Sequence, residues 1–297
     1  MSAPYIGRFA PSPSGHLHFG SLIAALASYL DARAEGGRWL VRMEDIDPPR
    51  EVAGAASHIL RQLECHGLHW DGDVLYQSSR LDDYRDLVAR LFAKGLAYRC
   101  DCSRQVVQAM GGIYDGRCRA RNVPATVPAA VRVRVPEGRV IAFNDLFQGR
   151  QEQRLDSEVG DFVVLRKDGL FAYQLAVVAD DLAQGITHVI RGMDLLDSTA
   201  RQVWLMAELG CGAPVYGHLP LALNRHQQKL SKQNLAQDID LLPPAANLRL
   251  ALEWLGIAVP PGLEDIAALL AHGVSRWRRD LLAGRQALAA PQAYCDT

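Results

Sequence analysis

The sequence carries no excess of either charge: 32 Lys and Arg stand against 33 Asp and Glu, for a formal net charge of −1. That balance excludes a protein gripping nucleic acid over its whole surface and leaves only a local basic patch for such contacts. No apolar run is long enough to cross a bilayer, and the N-terminus lacks the basic-then-apolar layout of a signal peptide. A membrane partner is therefore not expected, and the cytoplasm is the expected location. Internal repeats and low-complexity tracts are missing as well. The G-x-G-x-x-G and G-x-x-x-x-G-K-[ST] fingerprints are absent, so neither a dinucleotide site nor a P-loop is indicated by motif. Six cysteines in a reducing compartment are not expected to pair, so a tight cluster of them reads first as a metal or catalytic site.

What is present is an ordinary globular composition, 49% hydrophobic and 22% charged over 297 residues, enough for one large domain or two modest ones. Residues 4–9 read as a strand. Residues 21–34 place Leu22, Ala25, Leu26, Tyr29 and Leu30 at helical spacing before Gly36-Gly37 stops them. "RWLVRMED" (Arg38–Asp45) reads as a buried strand ending in carboxylates. Strand, loop, helix and strand make a βαβ unit, which favours a parallel sheet with ligands at the carboxyl ends of its strands. Further helices are expected around 51–65 and, capped by Ser78-Ser79, through Lys94. A half-exposed strand is expected at 130–135. In 161–181 a hairpin-like turn at Lys167-Asp168-Gly169 should return the chain to the sheet. Strand, turn and helix follow over 187–210, then a buried strand at 219–224 and a helical C-terminal part.

Two stretches carry chemistry. "RFAPSPSGHLHFGSL" (Arg8–Leu22) is a strand-to-helix loop whose glycines allow close backbone approach, and the helix start beyond it favours negative charge. By itself this fits a stiff turn with a helix-capping histidine as well as it fits a nucleotide site. "KLSK" (Lys229–Lys232) follows a buried strand, and its lysines suit the neutralisation of a pyrophosphate leaving group. Together they resemble the paired signatures of class I aminoacyl-tRNA synthetases. His18-Phe19-Gly20-Ser21 stands at the "HIGH" tetrapeptide and Lys229–Gln233 at "KMSKS". "LVRMEDID" and "VIRGMDLL" narrow the resemblance, which spans Tyr5 to about Asn234, to the glutamyl branch. It implies an α/β fold, a Rossmann-like parallel-sheet catalytic domain interrupted by an insertion.

The resemblance implies glutamate as amino acid, with Arg8 and Arg191 on its carboxylates, Glu44 on its ammonium, and Ser12, Tyr173 and the backbone of Ala10 as further contacts. Guanidinium suits this task because it pairs bidentately with carboxylate. It implies ATP as second substrate, carrying Mg2+, held by His18, Gly20, Ser21, Lys229, Ser231 and Lys232, with His18 and Lys232 as the catalytic pair. Two positions depart from the branch: Ser21 replaces the final histidine of "HIGH", and Val177 stands where many glutamyl enzymes carry Asn. His16 lies outside the signature and is assigned at most a phosphate contact.

Cys100-x-Cys102, Tyr114 and Cys118 set three thiols close in sequence, with no histidine in the insert to serve as fourth ligand. Spacing alone leaves zinc and free thiols both open. The resemblance implies structural Zn2+ with Tyr114 as fourth ligand, as in the glutamyl-queuosine tRNA(Asp) synthetases. Arg117, Arg119 and Arg121 flank this cluster, and Arg276, Arg278 and Arg279 flank Trp277; each group suits either RNA contact or a solvated face. Only residues 233–297 follow Lys232, short of the roughly 100 residues a separate anticodon-binding domain takes. The expected organisation is therefore a catalytic core in halves 1–97 and 161–235, a zinc-bearing insertion at 98–160, and a helical region at 236–297 contacting the tRNA stem. The expected function is activation of glutamate without tRNA, then transfer to the queuosine base of tRNA(Asp), with no obligate protein partner. A truncated glutamyl-tRNA synthetase acting on the 3′ end and a non-catalytic, zinc-stabilised RNA-binding paralogue are the alternatives.

Overall fold

A computed structural model describes residues 4–230 and 236–295. The expected βαβ unit opens the chain as β1 (Ile6–Phe9), α1 (Phe19–Ala34) and β2 (Arg38–Met43), with β1 and β2 parallel from Ile6↔Arg38 to Phe9↔Val41. Helix α1 buries Leu22, Leu26 and Leu30 completely. It ends at Gly36-Gly37 because a Cβ on Gly37 would sit 2.6 Å from the Tyr5 Cβ, a separation real side chains do not reach. Helix α2 (Ala55–Cys65) starts later than expected, since Pro48–Arg50 forms a 3-10 turn and Gly54 enters the helix at φ +78. Strand β3 (Leu75–Tyr76) extends the sheet beside β2, and α3 (Leu81–Ala93) follows. Ser78 and Ser79 do not cap α3. Ser78 donates its N–H and hydroxyl to Asp45, at 2.9 and 2.6 Å, and Ser79 donates to the Tyr76 carbonyl.

The middle of the chain runs β4 (Ala97–Cys100), α4 (Arg104–Gln108), β5 (Ala130–Val133), the antiparallel hairpin β6 (Val140–Asp145) and β7 (Gly149–Arg154), α5 (Leu155–Glu158) and β8 (Val163–Leu165). Strands β4, β5 and β8 form a separate antiparallel sheet. The expected turn forms at Arg166–Gly169, but the chain then enters α6 (Tyr173–Ala183), a helix, where a strand was expected. At the end of this helix Asp180 and Asp181 are both buried, and the polar groups that claim them lie on different elements.

The chain returns as β9 (His188–Gly192), α7 (Leu196–Glu208), β10 (Val215–Leu219) and β11 (Leu221–Leu223), the last two divided at Pro220. It closes with α8 (Pro244–Trp254), α9 (Ile266–Arg276), β12 (Ala287–Ala289), paired to β11, and α10 (Gln292–Cys295). Strands β9 and β10 are parallel, and β9 lies beside β1, where Thr187 N–H donates to the Ile6 carbonyl at 2.9 Å and Ile6 N–H to Thr187 Oγ1 at 2.8 Å. The three-stranded sheet β3-β2-β1 and the two-stranded sheet β9-β10 thus meet along β1 and β9, and the crevice beyond the ends of these two strands is where doubly wound arrangements bind ligands.

The C-terminal helices share one apolar core with α1, through Leu248, Leu252 and Leu269, while α3, α6 and α7 form a second core around Tyr84, Leu175 and Trp204. Asp31, 1% exposed, ties the C-terminal region to α1: it accepts from Tyr5 Oη at 2.5 Å, Trp277 Nε1 at 2.8 Å and Arg279 Nε at 2.8 Å. Trp277 and Arg279 thus serve the interior, and Arg278 pairs with Asp280 at 2.6 Å. Among the described residues no helix is long and apolar enough to cross a membrane. Replacing Asp31 by Ala leaves the Trp277 and Arg279 donors without their acceptor, and should cost about 3 kcal/mol. A lowered midpoint of urea unfolding at unchanged m-value checks this.

Candidate functional site

Arg8 near the end of β1, Glu44 just past β2 and Arg191 near the end of β9 all stand at carboxyl ends of the parallel sheet. Arg8 is 3% exposed and Arg42, beside it on β2, is 0% exposed. Two buried guanidiniums require a counter-charge, and Asp181 from the end of α6 supplies it. Arg8 donates Nε and Nη2 to its two oxygens at 3.2 and 3.3 Å, and Arg42 Nη2 reaches Oδ1 at 2.8 Å. Among the described residues no hydrogen-bond acceptor stands against Arg8 Nη1. Burial alone would raise the Asp181 carboxyl, but the two guanidiniums hold it below the usual carboxylate range. Arg42 Nη2 also lies 3.6 Å from Glu44 Oε1. Glu44 goes the other way: burial raises it above the ordinary value against the opposing charges of Arg42 and Arg8. Arg42 and Asp181 were not picked out from the sequence. The available signal was a basic residue two places before Glu44 and an acidic pair closing an apolar run.

Arg191, 4% exposed, is held by a polar cage. Its Nε donates to His218 Nε2 at 3.0 Å, Nη1 to Gln202 Oε1 at 2.9 Å, and Nη2 to Thr199 Oγ1 at 2.8 Å and the Leu195 carbonyl at 3.2 Å. His218 Nδ1 lies 2.5 Å from Asp145 Oδ2, so the proton sits on Nδ1 and Nε2 accepts from Arg191. Burial keeps this imidazole below its ordinary value, which preserves the neutral acceptor form. The remaining hydrogen bond of Arg191, Nη1 to Tyr173 Oη, is 3.5 Å long and is the one a ligand can displace most cheaply.

A cleft of about 270 Å³ is lined by Ser12, Ser14, Glu44, Asp47, Arg166 and Tyr173, among others. It brings together Ser12, Glu44 and Tyr173 of the expected residues; Arg8, Ala10 and Arg191 do not line it. Pro11 carries the loop to β2 by accepting Glu44 N–H at 2.9 Å. His18 is the N-cap of α1, its Nδ1 accepting Ser21 N–H at 3.3 Å. A Cβ on Gly20 would lie 3.1 Å from the His18 ring, so glycine lets the imidazole rest on the first turn. Lys229 pairs with Asp194 at 2.5 Å, three residues beyond Arg191. Ser231 and Lys232 lie outside the described residues.

The cysteine cluster forms where β4 ends. Cys102 Sγ lies 3.6 Å from Cys118 Sγ and 3.7 Å from Tyr114 Oη, and Cys100 Sγ lies 3.3 Å from the same oxygen. Sulfurs about 2.3 Å from a tetrahedral metal stand roughly 3.8 Å apart, so the set fits such an ion. Burial, then the neighbouring sulfurs of Cys118 and Cys100, push the Cys102 thiol up to about 11, a shift that a bound cation would oppose. Arg119 is spent on Asp161 at 2.6 and 2.7 Å, while Arg121 pairs with Asp101 and Arg117 with Asp115.

Changing Asp181 to Asn keeps the shape and removes the charge that Arg8 and Arg42 share. It should cost about 3–5 kcal/mol of folding stability, read as a fall in the urea midpoint.

Residues 6–252 match the model of the catalytic domain of class I (E and Q) tRNA synthetases. A glutamyl-Q tRNA(Asp) synthetase of Pseudomonas fluorescens is 51% identical, over 98% of this chain and 97% of that protein. One of Escherichia coli is 53% identical, over 92% of this chain and 89% of its own. The crystal structure of a glutamate tRNA ligase from Elizabethkingia meningosepticum superposes with a TM-score of 0.81 at 25% identity, covering 96% of this chain and 67% of that one. A doubly wound sheet, cationic and anionic groups gathered at its switch point, and relatives of this closeness agree: the chain belongs to the class I tRNA synthetase family, in its glutamate and glutamine branch.

Proposed function

We propose that this protein activates glutamate with ATP and transfers it to the queuosine base at the wobble position of tRNA(Asp). The observation that carries the reading is the charge arrangement at the switch point. Arg8 and Arg191 are fixed, permanently cationic donors for two carboxylates, and Glu44 is a carboxylate for one ammonium, which is the complement of glutamate. Ser12, Tyr173 and the Ala10 backbone complete the amino-acid side. The α-carboxylate oxygen attacks the α-phosphorus of ATP in line; the bond to the β-phosphate oxygen breaks, and pyrophosphate leaves. No protein nucleophile is needed, because positioning and charge neutralisation carry the rate. The start of α1 at His18, Gly20 and Ser21, with Lys229, Ser231 and Lys232, would take the phosphate charge, which Mg2+ carried by ATP would also neutralise. A hydroxyl of the queuosine ring then attacks the acyl carbonyl; AMP leaves with the bonding pair, and the hydroxyl proton passes to solvent. Cys100, Cys102, Tyr114 and Cys118 would hold a structural Zn2+ that fixes the end of β4.

Two measurements test the two steps directly. Glutamate-dependent ATP–pyrophosphate exchange should proceed without tRNA, and its absence would overturn the activation step. Glutamate should be incorporated into queuosine-containing tRNA(Asp) and not into the unmodified transcript; labelling of the transcript would place the acceptor at the 3′ end instead.

Glu44→Gln should raise the KM for glutamate about 10- to 100-fold, equivalent to about 1.5–3 kcal/mol. Because burial raises the Glu44 carboxyl, it loses its charge at a higher pH than an ordinary glutamate. The KM of the native protein should therefore climb as pH falls through that raised value, and Glu44→Gln should lack the climb.

Removing metal with a chelator should lower the melting temperature while leaving the preference for glutamate over other amino acids unchanged.

A further inference from the structure

His16 plays no part in the site above, yet it does not point idly into solvent. Its ring meets that of His58 on α2 edge to face, with centroids 4.2 Å apart. His16 Nδ1 lies 3.4 Å from Asp238 Oδ2, and His58 Nε2 lies 2.9 Å from Asp240 Oδ2. Ligand atoms of His16, His58 and Asp238 all fall within 4.8 Å of one another. His58 Nε2 is shielded from solvent and makes no hydrogen bond, its approach to Asp240 being off line.

The carboxylates are held in place from behind. Gln62, 3% exposed, donates its amide to Asp238 Oδ1 at 2.6 Å and to Asp240 Oδ1 at 2.9 Å, and accepts Leu17 N–H at 3.0 Å. One oxygen of each aspartate is thereby occupied, and the other faces an imidazole. A buried side chain orienting the ligating groups is the arrangement that metal sites depend on.

We propose that His16, His58 and Asp238 bind a divalent transition-metal ion of the Zn2+, Co2+ or Ni2+ class, with Asp240 facing His58 beside them. Two imidazoles and a carboxylate suit such ions better than Ca2+ or Mg2+, which prefer oxygen alone. Ligands about 2.0–2.1 Å from a tetrahedral ion stand roughly 3.3 Å apart, close to the His16–Asp238 separation of 3.4 Å. Arg61 Nη2, 3.5 Å from His58 Nδ1, is on an exposed side chain that swings clear at little cost. The ion would fasten three separate parts of the chain: the loop leading into α1, helix α2, and the segment that follows the lysine-bearing 229–232 stretch. This site shares no residue with the cysteine cluster and stands or falls independently of the function proposed above.

Equilibrating the full-length protein with micromolar ZnCl2 and measuring bound zinc by elemental analysis tests the proposal. His16→Ala and His58→Ala should each bind one equivalent fewer than the native protein, while Cys102→Ser loses a different equivalent and leaves this one in place. In Cys102→Ser, whose cysteine cluster no longer holds an ion, added Co2+ should show d–d absorption without thiolate charge transfer, and adding His16→Ala should abolish it. Because His16 is exposed, His16→Ala should melt as the native protein does in the absence of metal, which separates lost binding from lost folding. Equal zinc contents in native and histidine variants, or binding only at millimolar metal, would overturn the proposal.

Discussion

Two arginines buried at the ends of adjacent strands set the terms for the rest of this molecule. Arg8 and Arg42 are removed from water on β1 and β2, and neither would be tolerated there without a carboxylate between them. Asp181 meets that demand, and to deliver it α6 must dock its C-terminal end behind the sheet. Asp180, its neighbour, simultaneously accepts from Gln77, Arg80 and Tyr84, so the same helix end fixes the approach to α3. Glu44 inherits its environment from this arrangement. It is left with partial compensation from Arg42 and Arg8, and burial raises its carboxyl above the ordinary value.

A second buried chain of polar groups runs from Asp145 through His218 to Arg191. Asp145 belongs to the β6–β7 hairpin, far from the sheet in sequence. The hairpin turn reaches β10 directly: Leu146 N–H donates to the Tyr216 carbonyl at 2.9 Å, and a Cβ on Gly217 would strike the Phe147 ring at 2.7 Å. Gln148 donates to the carbonyls of His218 and Arg285, which draws in the C-terminal stretch as well. The hairpin therefore fixes the tautomer of the histidine that orients Arg191. An arginine with this many fixed partners has little side-chain freedom left to lose.

The opening loop shows how structural and functional readings coexist. His18 caps α1 through Nδ1, so the plainer reading of that histidine is correct as far as it goes. Capping also places the imidazole beside Gly20, at the helix start where backbone N–H groups favour anions. His16, two residues earlier, belongs to a different constellation, built with α2 and with Asp238 and Asp240.

The sequence by itself determined the βαβ opening, the parallel sheet that such a unit favours, the strand-end positions of Arg8, Glu44 and Arg191, and the gathering of Cys100, Cys102, Tyr114 and Cys118. These are local facts, fixed by periodicity, by turn residues and by ligands close together along the chain. What it left undecided depended on partners distant in sequence. The apolar run before Asp180 and Asp181 resembles a strand and folds as a helix, and the donors that answer each carboxylate lie on separate elements. Ser78 looks like a cap until Asp45 claims it, and Arg279 looks like a solvated cation until Asp31 does. Burial of a charge obliges it to find a counterpart, and only the tertiary structure decides which one lies within reach.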